Sequence, residues 1–164
     1  MKPLLYISLL LFNTLVAAQT FQDFVIRVNN APEAQRSALV DSFVSAVPSF
    51  PLIEQSSIVN FIYRGNASSV TVPGDANNWA ATSFPMSRLS TTDLWYRTQT
   101  FEPDARLDYK FVLNGNWILD PRNPLTVSGG FGPNSELRMP AYVPAPEIQY
   151  SPSIPHGTLR DTVV

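Results

Sequence analysis

The sequence comprises 164 residues, which is enough for one domain of ordinary size with extensions. Apolar residues make up 45% of it and can fill a core, while a net charge of −2 without a run of lysine or arginine disfavours nucleic-acid binding. Because the chain has no cysteine and one histidine, disulfides are excluded, and we expect neither a metal site nor a cofactor.

Residues 1–18 have the pattern of a secretory signal peptide. Lys2 supplies a positive start, residues 4–12 are apolar, and small residues at 16–18 suit cleavage. A membrane anchor is the alternative, but a span needs about twenty apolar residues and Asn13 interrupts this run. The sequence therefore predicts a secreted or periplasmic protein without stable membrane insertion after cleavage.

Residues 19–54 are predicted to form an N-terminal helical segment, arranged as a short helical hairpin. Two apolar stripes follow the helical spacing of i, i+3, i+4 and i+7: Phe21, Phe24, Val25 and Val28, then Val40, Phe43, Val44 and Val47. Thr20 and Asp23 are spaced as a capping box, and Pro32 suits the first turn of the second helix. Both stripes require burial, either on the rest of the chain or on a neighbouring domain.

Residues 55–140 show the pattern of an antiparallel β-sandwich, with turn signals at short intervals. We predict strands at 59–64, 69–72, 94–101, 107–113, 117–119, 125–127 and 135–139. The 69–72 strand is expected to pair back on 59–64. Alternation predicts five inward side chains: Val59, Phe61, Tyr109, Phe111 and Leu113. Asn114-Gly115 predicts a tight hairpin turn.

Residues 141–164 are rich in proline and show no periodicity, which is typical of an extended linker. Catalytic patterns are weak throughout the chain. There is no G-x-S-x-G nucleophile motif, and the one histidine, His156, lies in this linker. The turn-associated acids do not single out a glycosidase pair: Asp75, Asp93, Asp104, Asp108 and Asp120. We therefore predict that this chain alone is not an enzyme.

Four motifs occur in a characteristic order: GDANNW at 74–79, DYKF at 108–111, NGNW at 114–117 and DPRNP at 120–124. Together they resemble the glycogen-binding type of β-sandwich, carbohydrate-binding module family 48. The flanking stretches resemble the N-terminal region of secreted bacterial esterases related to enterochelin esterase, in which such a sandwich precedes an α/β-hydrolase domain. The resemblance implies a mainly β fold, an immunoglobulin-like (early-set) sandwich preceded by a helical hairpin. It also implies that the chain is truncated, with 141–164 leading into a missing hydrolase domain.

The resemblance further implies a sugar-binding surface. In the glycogen-binding pattern two tryptophans stack on glucose units, which places that role on Trp79 and Trp117. A lysine and an asparagine bind hydroxyl groups, corresponding to Lys110 and Asn134, and an apolar loop residue corresponds to Phe131. One departure is Ala76, where the pattern usually has an aromatic residue.

Two functions stay open at this point. The chain is either a non-catalytic accessory module of an esterase-like hydrolase, with the hydrolase domain as its partner, or a carbohydrate-binding module with a polysaccharide or oligosaccharide ligand. In the first case Trp79 and Trp117 could instead close the end of the sandwich or contact the hydrolase domain. Trp95 lies within a predicted strand, and we expect it to be structural.

Overall fold

A computed structural model describes residues 19–148, 150–155 and 157 of the chain. The predicted signal peptide and His156 lie outside the described residues. Two helices, α1 (Phe21–Asn30) and α2 (Glu33–Ala46), precede ten strands. The strands are β1 (Leu52–Glu54), β2 (Ile58–Arg64), β3 (Val70–Thr71), β4 (Ser87–Arg88), β5 (Leu94–Thr100), β6 (Arg106–Tyr109), β7 (Phe111–Leu113), β8 (Asn116–Ile118), β9 (Thr126–Gly129) and β10 (Gly132–Arg138). Two 3₁₀ turns are at Asp75–Asn77 and Pro146–Ile148.

The strands form the two layers of an antiparallel sandwich, which confirms the predicted fold class. One sheet has the order β1-β2-β5-β4, and the other side consists of two ladders, β3-β7-β8 and β6-β10-β9. Between the layers lies an apolar core that includes four of the five side chains predicted to face inward, Val59, Phe61, Tyr109 and Phe111, with Leu113 packed at its margin. Period-two alternation correctly identified these four members of the core.

The helical hairpin covers the outer face of the first sheet. Its apolar stripes pack with Ile62 of β2 and Leu94 of β5 in a second core. Thr20 Oγ1 accepts a hydrogen bond from the Asp23 amide at 3.1 Å, which confirms the predicted capping box. Pro32 lies one position before the first turn, as the N-cap of α2. The sandwich therefore has one sheet covered by α1 and α2, whereas these two helices do not pack on the other sheet.

Strand pairing differs from the sequence-based expectation in one important respect. The predicted hairpin of 69–72 with 59–64 is wrong, because β3 pairs with β7 in the opposite sheet. Alternation identifies a strand but not its partner, and the chain after Gly65 crosses between sheets instead of reversing within one. The short strands β1 and β4 were missed. The predicted 107–113 strand is interrupted at Lys110.

Candidate binding surface

A tight turn after β3 holds Trp79 at the surface. Gly74 lies so close to β6 that an added Cβ would collide with the Asp108 carbonyl oxygen, so a side chain is excluded there. Asn77 fastens the turn, since its Oδ1 accepts from the Gly74 amide and its Nδ2 donates to the Val72 carbonyl, both at 2.9 Å. The Trp79 amide donates to the Gly74 carbonyl at 3.0 Å. The GDANNW motif thus builds a braced turn that ends in an indole.

The backbone of Trp79 is in the left-handed region, with φ of 59° after Asn78 at 55°. Asparagine tolerates this conformation, whereas a bulky residue rarely adopts it. Such a conformation costs about 1–3 kcal/mol and is often found at ligand sites. The local hydrogen bonds therefore hold Trp79 in a conformation that its own preferences disfavour.

The β7–β8 hairpin presents the second indole, that of Trp117. Asn114 and Gly115 have φ of 51° and 89°, as a two-residue turn of this kind requires. Asn114 Oδ1 also accepts from the Ser68 amide at 2.8 Å, which ties the turn to the chain before β3. Trp117 is the cross-strand partner of Val112. Cross-strand partners project from the same face of a sheet.

The structure brings Trp79 and Trp117 together. Their ring centroids are 6.4 Å apart and their planes are inclined by 28°. Trp117 is 44% exposed and Trp79 is half-buried. Neither indole belongs to the two apolar cores, whereas Trp95 is buried in the sandwich core, as expected. We call Trp79 and Trp117 the indole pair.

Lys110 lies on the same face as the indole pair. Its neighbours Tyr109 and Phe111 are both buried in the sandwich core, so the lysine side chain projects outward. Its amide donates to the Pro73 carbonyl at 3.0 Å, which explains the interruption of the strand. Among the described residues no carboxylate forms an ion pair with its ammonium group. Lys110 thus presents an ammonium group without an ion-pair partner among the described residues.

The remaining two predicted site residues differ in their surroundings. Asn134 is half-buried, and its Nδ2 donates to Asp108 Oδ2 at 3.1 Å, so part of its hydrogen-bonding capacity is already occupied. Phe131 is at the tip of the β9–β10 hairpin and is fully exposed, at 102%. The loop predicted there is a tight connection between Gly129 and Gly132.

Charged side chains continue the outer face beyond Asn134. Arg106 Nε contacts Glu136 Oε1 at 2.6 Å, and Arg138 Nη2 contacts Glu136 Oε2 at 2.7 Å. Burial by itself raises the pKa of Glu136, but the hydrogen bonds from Arg138 and Arg106 outweigh it and leave that pKa below its usual value. With Tyr142 and Ile148 these residues line a groove of about 410 Å³.

A buried polar cluster lies on the inner side, beneath this surface. The Tyr109 hydroxyl donates to Asp120 Oδ2 at 2.7 Å and accepts from Asn123 Nδ2 at 3.1 Å. The Asp120 amide donates to Ser135 Oγ at 2.8 Å. Burial raises the pKa of Asp120 and also that of Tyr109, where the charge of Asp120 adds to the effect. The DPRNP motif is thus an anchor for the loop between β8 and β9.

Sequence reasoning missed the role of Asp75. Its Oδ1 accepts from Trp79 Nε1 at 2.9 Å, and its Oδ2 accepts from the Asp108 amide at 2.7 Å. From the sequence, Asp75 was only one of five turn-associated acids, which do not single out a glycosidase pair. The signal that could have found this contact is the four-residue spacing of Asp75 and Trp79 around a turn. Among the residues that the structure describes, no three acidic or histidine side chains converge as a metal site.

The fold defines a class: an immunoglobulin-like antiparallel β-sandwich. Residues 49–142 match the sequence profile of carbohydrate-binding module 48 (isoamylase N-terminal domain). The chain belongs to this family. A search of curated proteins found no match. Within the described part of the chain, no helix has the length and apolar character needed to cross a bilayer.

Solved structures with a similar fold include enterobactin esterases. The enterobactin esterase FES from Shigella flexneri, solved in the presence of 2,3-di-hydroxy-N-benzoyl-serine, has a TM-score of 0.52 and 20% identity. Ferric enterobactin esterase from Salmonella typhimurium has a TM-score of 0.53 and 17% identity. Both comparisons cover 70% of this chain but only 39% and 40% of the esterase chains. At this identity the likeness establishes a shared fold.

Proposed function

We propose that this chain is the non-catalytic N-terminal accessory module of a secreted esterase-like hydrolase, where it orients or covers the catalytic domain or its substrate. The observation that carries this proposal is the fold shared with two enterobactin esterases, over about two-fifths of their length. The non-catalytic role is supported by the position of the one histidine. Acyl transfer by a Ser-His-Asp hydrolase needs an imidazole base, and His156 lies in the proline-rich linker.

The surface that fits a hydrolase domain is formed by the segment after β10. Val143 and Ile148 are 81% and 68% exposed, and Ile154 is also exposed. Exposed apolar side chains that follow one another along a segment are candidates for a protein contact. Ile148 also lines the groove beside Arg138. We assign this segment to the contact with the hydrolase domain, which supplies the partner for these side chains.

Activity measurements test the accessory role. Purified residues 19–164 should not hydrolyse p-nitrophenyl acetate, feruloyl esters or catecholate esters above background. In a parent protein that includes the hydrolase domain, deletion of the sandwich should raise KM for a bulky ester more than for p-nitrophenyl acetate, because the small ester needs little positioning. Turnover by residues 19–164 that persists in His156→Ala would contradict the proposal. The DNA downstream of codon 164 should encode the hydrolase domain.

A second candidate function is binding of a glycogen- or starch-type oligosaccharide. The observation that favours it is the indole pair on the sheet opposite the two α-helices, with Lys110 on the same face. Pyranose rings expose C–H faces that pack on flat aromatic rings, and a few polar groups suffice to orient their hydroxyls. The family resemblance would add Asn134 and Phe131 to this surface.

Fluorescence titration tests sugar binding. Maltoheptaose or β-cyclodextrin should quench tryptophan emission, and Trp117→Ala should abolish the effect. Leu125→Ala is a suitable control, since it shortens a side chain that is 40% exposed and lies outside the indole pair. Emission that stays constant up to millimolar sugar would remove this candidate and leave the accessory role.

We also propose that residues 1–18 are removed during export, so that the mature chain begins at Gln19 and is secreted or periplasmic. The support is the signal-like pattern of the N-terminal sequence. Mass spectrometry of the exported protein should find Gln19 at the N-terminus. Recovery of the protein with Met1 intact in the cytoplasm would contradict this.

A further inference from the structure

The two carboxylate oxygens of Asp75 are used for different purposes. Oδ2 accepts the Asp108 amide of β6 at 2.7 Å, which attaches the turn to the sheet. Oδ1 accepts the indole N–H of Trp79 at 2.9 Å. Asp75 itself is exposed, so its side chain is not required to fill a core. Hydrogen bonds to a charged acceptor are among the stronger ones in proteins.

The contact restrains an indole whose one aromatic neighbour among the described residues is Trp117. Trp79 is not part of either apolar core, and its backbone is held in the left-handed region by the turn. Without Asp75 the side chain could rotate about its side-chain torsions, and binding a ligand would then require it to lose that freedom. Immobilising a flexible side chain on binding is a recognised cost in affinity.

We propose that Asp75 is a positioning residue: it locks the indole of Trp79 beside Trp117 before any ligand arrives. This inference rests on the proposed sugar-binding function. It also determines which groups of this surface contact the ligand. Because the N–H of Trp79 already donates to Asp75, that indole offers a ligand only its ring face. Polar contacts with the ligand are then left to other side chains of this face, such as Lys110. The ligand chemistry that fits is a sugar that packs a C–H face on this ring.

The first measurement needs no sugar. In an NMR spectrum of residues 19–164 three indole N–H signals are expected, one for each tryptophan, and Trp79→Phe assigns that of Trp79. Hydrogen exchange at this N–H should be slower than at Trp117, which is the more exposed indole, and should accelerate about tenfold or more in Asp75→Ala. Asp75→Asn keeps an acceptor oxygen and should retain part of the protection. Asp104→Ala, a change at an exposed aspartate of another loop, is the matched control.

The second measurement is maltoheptaose affinity. Asp75→Ala should weaken binding about threefold to tenfold, the cost of ordering one side chain, while Asp104→Ala should bind as the wild type does. Asp75→Ala also removes the acceptor of the Asp108 amide, but the turn keeps its Asn77 and Gly74 hydrogen bonds. The fold should therefore persist, which the rest of the NMR spectrum checks.

The outcomes distinguish the positioning role of Asp75 from the proposed sugar-binding function. Unchanged indole exchange in Asp75→Ala overturns the positioning role, whether or not sugar binds. Accelerated exchange with unchanged sugar affinity overturns the link between positioning and binding. Failure of the wild type to bind sugar, together with accelerated exchange in Asp75→Ala, overturns the sugar-binding function but supports Asp75 as the residue that orients Trp79.

Discussion

Replacement of Tyr109 by phenylalanine tests whether the buried cluster anchors the loop after β8. The change removes a hydroxyl that donates to the Asp120 carboxylate at 2.7 Å and accepts from Asn123 at 3.1 Å. Tyr109 is only 3% exposed, so water cannot readily replace these bonds. A hydrogen bond to a charged group contributes about 1.5–3 kcal/mol and a neutral one about 0.5–1.5 kcal/mol. We therefore expect Tyr109→Phe to lower the free energy of unfolding by about 2–4 kcal/mol.

This loss should depend on pH in a defined direction. Burial raises the folded-state pKa of Asp120 above the unfolded value. Its contribution to stability is therefore greatest when it is protonated, and is lost as the pH rises through the folded-state pKa. Tyr109 donates to the ionised form, so its removal raises that pKa further. The difference between wild type and Tyr109→Phe should shrink as the pH is lowered from about 7.

Urea unfolding followed by tryptophan fluorescence measures both effects. Tyr63→Phe is the matched control, since Tyr63 is half-buried and no residue hydrogen-bonds to its hydroxyl in the described structure. It should change stability by no more than about 0.5 kcal/mol. A Tyr109→Phe effect below about 0.5 kcal/mol, or one that is constant with pH, would refute the anchoring role.

Three further predictions concern the fold. Phe111→Ala should cost about 3–5 kcal/mol in the same assay, because it empties a fully buried position in the sandwich core. A loss below about 1 kcal/mol, close to that of a surface substitution, would contradict the burial. Gly74→Ala should cost about 1–3 kcal/mol from its collision with β6, whereas Gly130→Ala, which meets no atom within 4 Å, should be neutral. Deletion of residues 19–48 should expose the apolar outer face of the first sheet and increase binding of a hydrophobic dye such as ANS; an unchanged dye signal would show that the helices do not cover it.

Local sequence patterns determined the elements and much of the surface chemistry. The i, i+3, i+4 stripe of α1 and its capping box identified the helix, because these signals depend only on neighbouring residues. Alternation in β7 and the Asn114-Gly115 turn identified the hairpin that carries Trp117 for the same reason. The motif resemblance named the two indoles before any coordinates were considered.

Pairing and contact at a distance were decided by the tertiary structure. Nothing local in β3 specifies that it pairs with β7 across 40 residues of chain instead of with β2. Whether Trp79 and Trp117 meet depends on how a turn and a hairpin 38 positions apart are placed on one sheet. The role of Asp75 likewise required the Asp108 amide of β6 to lie beside it. Sequence periodicity indicates which face of an element is apolar. The partner of each strand is instead selected by the packing of all elements together, and that packing exists only in the folded chain.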